Sequence, residues 1–336
     1  MINKLHLAVV GCGDIASYVA LVSRYIPNIR ITACVSKSKL EAEQFAKKHR
    51  IPHVFTNYEQ LLQHSDLFDA VYLSTPHHLH APMIRSAVDQ FLPVLCEKPI
   101  TESVPTAKEI INYVNNSPVK VGINYQYRYN PACQKLIEYT HSDIGKLYYI
   151  QINLPWHREL DYFNNSTWHK KKSSAGGGTL LTQASHYLDI ALLAAQSEPL
   201  TVLGVTDRKV FTAPDIEIED YAHGIITLKN KAHIEITSSM VANPQQTATI
   251  EIYGEKGYAK FSEANRPHFL TKGISPSRYK QQLPFGVHPL ARSLLGFCKW
   301  IQQDQPYLTP IHSALPVMAA VDAIYRSGAL KKEIEL

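Results

Sequence analysis

In "VLCEKPI" (residues 94–100) a lysine stands between a glutamate and a proline, directly after an apolar run. Proline disfavours helical backbone in the residue before it, so Lys98 is expected in extended geometry with its ammonium group aimed in one direction. Such a group can hydrogen-bond an oxygen and stabilise negative charge that develops there. A second residue suited to proton transfer is His186 in "LLTQASHYLD" (180–189), since imidazole titrates near neutrality. Read as one helix over 179–194, this stretch places Thr182 and His186 four residues apart on a single face. Each has a plainer alternative: a strand-end salt bridge for Glu97 and Lys98, and a core-facing ring for His186.

The third chemical feature is the turn in "VVGCGDIA" (9–16). Gly11 suits the tight turn that ends a strand, Gly13 lets backbone approach a pyrophosphate, and Ala16 lets helix and strand pack closely. The helix opened by Asp14 and Ile15 would then offer free N–H groups and a positive dipole end to phosphates. A dinucleotide is the ligand this pattern suits; a glycine turn with no ligand is the alternative. About 20 residues on, an acid would hold the ribose hydroxyls of NAD. The second strand ends instead in Ser36, Lys37 and Ser38, with no carboxylate before Glu41. A hydroxyl and a cation suit a 2′-phosphate, so NADP(H) is favoured over NAD(H), unless Lys37 is simply a solvated loop charge.

These residues need elements to place them. "LHLAVVG" (5–11), "IRITACVS" (29–36), "DAVYLST" (69–75), "LPVLCE" (92–97) and "VKVGINY" (119–125) read as buried strands. Amphipathic stretches over 14–25, 39–49, 81–90 and 105–116 separate them. That alternation predicts a doubly wound parallel sheet, an α/β fold over residues 1–124. From 125 to 336 the pattern becomes α+β: "GKLYYIQINL" (145–154), "YAHGIITLK" (221–229), "AHIEITSSM" (232–240) and "TATIEIYG" (247–254) read as antiparallel strands with one wet face. Helices are expected at 130–141, 179–194, 288–303 and 311–327.

Composition narrows the function classes. With 336 residues and 45% hydrophobic content the chain can bury two cores. A net charge of +5, spread along the sequence, argues against nucleic acid and suits a small anionic ligand. Five cysteines without paired spacing are expected as reduced thiols. The N-terminal apolar run is too short for a signal peptide and nothing approaches a membrane span, so a cytoplasmic protein is expected.

Taken together, "VVGCGDIA", "LSTPHHLHAP" (73–82), "CEKPI" (96–100), "YRYNP" (127–131), "GGGTLLTQASHYLD" (176–189) and "AVDAIYRSG" (320–328) resemble the motifs of the Gfo/Idh/MocA oxidoreductase family in order and spacing. The resemblance covers nearly the whole chain. It implies a Rossmann domain followed by an α/β domain built on a large, mainly antiparallel open sheet, which would mediate a homodimer or homotetramer. It also implies that Lys98 reaches toward both nicotinamide and a substrate hydroxyl, that Glu97 fixes that environment, and that His186 accepts the proton. The cofactor loop would include Ser74, Thr75, Pro76 and His78, which gives "HHLH" a role without a metal. The family often carries an acid four residues before the histidine; here Thr182 takes that place.

The stretch "PWHRELDYFNNSTWHKKKSSAGGG" (155–178) resembles the branch that acts on nucleotide-linked sugars for surface polysaccharides. Trp156, Arg158, Tyr162 and Trp168 match it in order, while His169 and Ala175 depart from it. Aromatic faces suit sugar rings, and a guanidinium suits a phosphate or carboxylate. The expected activity is hydride transfer between nicotinamide and a secondary hydroxyl or ketone of a sugar or nucleotide-sugar, with Arg158, Tyr162, Trp168, Thr182 and His186 on the substrate. Two alternatives stay open: a non-catalytic NAD(P)-binding sensor, and a glycosidase with internally recycled NAD.

Overall fold

The computed structural model describes residues 4–263, 268–272, 277–281 and 288–336. Six short strands form the first sheet: Leu5–Val10 (β1), Ile29–Val35 (β2), His53–Phe55 (β3), Ala70–Leu73 (β4), Val94–Cys96 (β5) and Val121–Ile123 (β6). All pair in parallel in the order β3-β2-β1-β4-β5-β6, the doubly wound arrangement that binds ligands where the order reverses, between β1 and β4. The strands read as continuous apolar runs because both faces are covered; β4 and β5 are buried throughout.

The chain divides into two compact units, and the first comprises Met1–Thr101, Pro105–Tyr129 and Pro284–Ala314. A late segment thus returns to the N-terminal sheet, which a single boundary after residue 124 does not express. The returning helix, Pro289–Gln303, has a proline in its first turn and a His288 side chain that accepts from the Leu290 N–H. Its Leu290, Leu294 and Phe297 share one buried cluster with Leu5, Leu7 and Val9 of β1 and with Val19 of the Asp14–Ser23 helix.

The second unit is built on nine strands: Leu147–Pro155 (β7), Pro199–Asp207 (β8), Tyr221–Leu228 (β9), His233–Ser239 (β10), Ala248–Gly254 (β11), Gly257–Glu263 (β12), His268–Lys272 (β13), Ser277–Gln281 (β14) and Ile334–Glu335 (β15). Their order is β14-β13-β12-β11-β7-β10-β9-β8-β15. Pairing is antiparallel except between β7 and β10, so the sheet is mixed and mainly antiparallel. Alternation is clear in β9, where Ala222, Gly224, Ile226 and Leu228 are buried and the intervening residues are not. The Leu315–Leu330 helix lies so close to this buried face that a Cβ on Gly204 or Gly224 would come within 2.8 Å of Ile324.

One expected element is corrected. The stretch over 179–194 is not a single α-helix: Leu180–Ala184 winds as a π-helix and the α-helix runs from Ser185 to Ala195.

Candidate functional site

In the first unit the site is built on the turn after β1. Gly11 has φ of +93°, and a Cβ there would lie 2.1 Å from the Ser74 carbonyl oxygen. Its N–H donates to Val35 O at 2.9 Å, while the Ser74 N–H donates to Val10 O at 2.8 Å. The turn is thus fastened to the ends of β2 and β4, and only glycine fits. Gly13 is different. Its backbone is extended, and an added Cβ would meet nothing within 4 Å. The fold does not need a glycine in open space; a ligand that must come close does.

Gly13 caps the Asp14–Ser23 helix without any side-chain hydrogen bond, and the first intrahelical amide bond is Ser17 N–H to Gly13 O at 2.9 Å. The amides of Asp14, Ile15 and Ala16 precede it, so helix geometry leaves them for another acceptor. Ile15 is exposed beside them. These features fit a dinucleotide pyrophosphate. At the end of β2, Ser36 Oγ donates to Glu41 Oε2 at 2.9 Å and accepts from the Ser38 N–H at 3.3 Å. Glu41, five residues beyond Ser36 in sequence, therefore turns its carboxylate back onto the strand end, whereas Lys37 is exposed.

The loop after β4 carries Ser74, Thr75 and Pro76, followed by an exposed His78. His80, fully buried, pins this loop to the next one: one ring nitrogen lies 2.9 Å from Thr75 O and the other 2.9 Å from Pro99 O. Both partners are carbonyl oxygens, so the ring nitrogen that carries the proton is the one that donates. Among the described residues no group of three His, Cys, Asp or Glu could hold a metal ion.

After β5 come Glu97 and Lys98, and the Lys98–Pro99 peptide bond is cis. Glu97 Oε1 accepts from the Tyr72 hydroxyl and from Asn124 Nδ2, the latter at 2.7 Å. Burial first, then the adjacent carboxylate, hold the Tyr72 phenol well above its ordinary range, so it stays protonated and donates. Glu97 Oε2 accepts from the Lys98 N–H at 3.3 Å. Sequence reading missed Tyr72, His80 and Asn124. Tyr72 looked like one more apolar strand residue, and nothing in a linear pattern pairs Asn124 with Glu97.

In the second unit Arg158, Trp168 and Thr182 of the expected substrate residues lie around Tyr162. The Arg158 guanidinium lies 5.2 Å from the Trp156 ring centre and 5.8 Å from that of Tyr162. Its NH1 donates to the His157 carbonyl at 2.8 Å, and no carboxylate pairs with it among the described residues. Arg158 is half-buried, and burial lowers its pKa from the usual guanidinium range. The Tyr162 ring stacks on His169 at 4.5 Å, and its hydroxyl faces Thr182 and Gln183. Thr182 Oγ1 donates to Gly178 O at 2.6 Å. Trp168 lies against His169 and also packs on the cluster of Phe163, Phe211, Ile218 and Met240, so part of its ring is core. His186 is half-buried on the Ser185–Ala195 helix.

What aims that helix is Glu219. Its carboxylate accepts from the amides of Gly178 at 2.7 Å and Leu180 at 3.0 Å and from the Tyr325 hydroxyl at 2.9 Å. Gly178 must be glycine, since a Cβ there would lie 1.8 Å from Glu219 O.

The model described as "Oxidoreductase family, NAD-binding Rossmann fold" matches residues 5–125, and "GFO/IDH/MocA C-terminal domain" matches 134–260. D-xylose 1-dehydrogenase (NADP(+)) 2 of Haloferax volcanii is 23% identical over 319 residues, 90% of this chain and 91% of that protein. The WlbA dehydrogenase of Bordetella pertussis, solved with NADH and UDP-GlcNAcA, superposes with a TM-score of 0.84 at 22% identity over 99% of both chains. A levoglucosan dehydrogenase solved with NADH gives a TM-score of 0.89 at 18% identity over 99% of both chains.

Two predictions follow from this geometry. Gly13→Ala should leave stability within about 1 kcal/mol of wild type yet weaken NADH binding at least about tenfold by nicotinamide fluorescence, a loss of roughly 1.4 kcal/mol, whereas Gly11→Ala should destabilise the fold itself. Equal NADH affinity in Gly13→Ala would remove the pyrophosphate from this turn. The second concerns pH. Burial raises the Glu219 carboxyl above its ordinary 4.5, against the pull of its two amide donors. The folded protein therefore holds this proton more tightly than the unfolded chain, and the contribution is complete below pH 4.5 and lost as pH rises through the folded value. Urea denaturation should show Glu219→Gln with a flatter decline above pH 4.5 than wild type; parallel curves would contradict it.

Proposed function

For a chain that belongs to the Gfo/Idh/MocA oxidoreductase family, we propose hydride transfer at a secondary hydroxyl or ketone of a sugar that carries an anionic group, a uronate or a nucleotide-linked sugar. The chain is an NAD(P)-dependent oxidoreductase with sugar dehydrogenases among its relatives and structural neighbours. The observation that carries the finer reading is Arg158: a half-buried cation between two aromatic faces, with no carboxylate pairing with it among the described residues. Aromatic faces take a sugar ring, and a desolvated guanidinium takes a carboxylate or diphosphate. The WlbA dehydrogenase was solved with a ligand of that class.

When bound, the nicotinamide coenzyme supplies the hydride acceptor or donor. In the oxidising direction Lys98 donates a hydrogen bond to the hydroxyl oxygen and stabilises its alkoxide character as the carbon–hydrogen bond breaks. His186 takes the hydroxyl proton and returns it in reduction. Glu97 keeps the backbone at Lys98 in place through its Oε2 contact. Arg158 holds the anionic group, and Tyr162 and Trp168 offer ring faces. The amides after Gly13 would hold the pyrophosphate, with Ser74, Thr75, Pro76 and His78 forming the neighbouring loop.

Coenzyme choice rests on the end of β2. Ser36 and Lys37 suit a 2′-phosphate and favour NADP(H). A second reading has its own observation: the Glu41 carboxylate, 2.9 Å from Ser36 Oγ, suits ribose hydroxyls and repels a phosphate, which favours NAD(H). Fluorescence titration separates them. With NADP(H) as coenzyme, Lys37→Ala weakens NADPH binding about tenfold and leaves NADH unchanged, the size of one lost charge-assisted contact. Tighter NADH binding in wild type would overturn that preference in favour of Glu41.

Kinetics test the chemistry. Lys98→Ala should lower kcat about 10²–10³-fold, the usual cost of a lost oxyanion donor, with coenzyme affinity kept. Arg158→Ala should raise KM for a UDP-linked uronate roughly tenfold or more and leave a neutral sugar untouched. Wild-type turnover in Lys98→Ala, or an equal KM change for both sugars in Arg158→Ala, would remove that residue from its role.

A further inference from the structure

The Glu97 carboxylate ends a hydrogen-bonded chain that begins on the Pro289–Gln303 helix and its following loop. Ser293 and Asn124 are 0% and 1% exposed, and Ser293 Oγ donates to Asn124 Oδ1 at 2.8 Å. The Tyr307 hydroxyl lies 2.8 Å from the same Ser293 Oγ. A serine hydroxyl has one proton; with that proton on Asn124, Tyr307 is the donor to Ser293. On its far side Asn124 uses both amide protons, one to Glu97 Oε1 at 2.7 Å and one to the Tyr72 hydroxyl at 3.1 Å. Tyr72 passes its own proton to Glu97 Oε1. Every donor in the chain therefore points toward the carboxylate.

One amide decides that polarity. Turned over, Asn124 would set its carbonyl oxygen against Glu97, acceptor to acceptor, and leave a buried hydrogen bond unmade. The Ser293 proton on Oδ1 is the contact that opposes the turn. We propose that Ser293 and Asn124 are positioning residues for Glu97 and, through its Oε2 contact with the Lys98 N–H, for the lysine itself. The proposal rests on the reading above that Lys98 works at the reacting oxygen. It gives a purpose to the late return of the chain: Ser293 stands 169 residues after Asn124, and its helix supplies the group that orients the lysine's support.

The test reads Lys98 without needing a substrate. The whole protein is acetylated with trace acetic anhydride across a pH series, and the labelling midpoint of each lysine is read by peptide mass spectrometry. Exposed Lys37 and Lys229 serve as internal references. Ser293→Ala removes the donor to Asn124; Asn124→Asp keeps the size and replaces two donors by acceptors; Tyr307→Phe leaves the Ser293–Asn124 bond in place. The expected result is a Lys98 midpoint moved by at least about half a pH unit in Ser293→Ala and Asn124→Asp, a change of roughly twofold to fivefold in reactivity at fixed pH. Tyr307→Phe and the reference lysines should stay where they are. An unmoved Lys98 midpoint in folded Ser293→Ala overturns the proposal, as does an equal shift in Tyr307→Phe, which would reflect packing alone. Should Ser293→Ala fail to fold, Asn124→Asp decides by the same criterion. A protein that turns over no sugar would count against the proposed reaction while leaving these midpoints readable, so the two failures are distinct.

Discussion

At Gly11 the chain leaves β1 with its N–H on Val35 O and its α-carbon so near Ser74 that a Cβ would fall 2.1 Å from the carbonyl oxygen. Three strand ends meet there, β1, β2 and β4, at the point where the order of the sheet reverses. Because that turn is closed so tightly, the next helix begins at Gly13 with open space over its first amides. Because β4 is drawn into the same knot, the loop over Ser74–Pro76 starts from a fixed place, and buried His80 carries that fixity across to Pro99. The ammonium group of Lys98 follows one residue earlier. A close backbone approach at one glycine thus ties together the ends of three strands and the loop that follows β4.

Electrostatic design differs between the two units. In the first, the charged group at the strand end is over-supplied with donors: Tyr72, Asn124 and a backbone amide converge on Glu97. In the second, a cation is left under-supplied, with Arg158 held by ring faces and one carbonyl. Saturated polar networks fix geometry, whereas a half-buried charge without a partner costs solvation that an incoming ion can restore. The same logic separates Glu219, satisfied by two amides and a phenol, from Arg158. One is satisfied within its own unit, and the other is the cation on which the proposed anionic substrate would act.

Much of this was legible in the sequence. The strand–helix alternation, the glycine turn and the glutamate–lysine–proline step all act locally, through backbone preference or through a short spacing. The helix over 289–303 was foreseen, but its amphipathic period does not encode which sheet it covers, and the chain carries it back to β1. The π turn at 180–184 was hidden because apolar spacing was read with a 3.6-residue period. Glu41 is the first carboxylate after β2, and the Ser38 cap and the bond to Ser36 bring it back to the strand end. Asn124, Ser293 and Tyr72 carry no signal in isolation, since their meaning is a hydrogen-bond direction across 52 to 169 residues.

The central claim is hydride transfer to or from a sugar ring carbon, and isotope transfer tests it most directly. Wild-type protein would be incubated with NAD⁺ or NADP⁺ and a UDP-linked uronate deuterated at its ring carbons, and the reduced nicotinamide analysed by mass spectrometry. The account predicts one deuterium gained per coenzyme reduced in wild type, and loss of that signal in Lys98→Ala. Reduced coenzyme that carries no deuterium, or the same yield from Lys98→Ala, would contradict it.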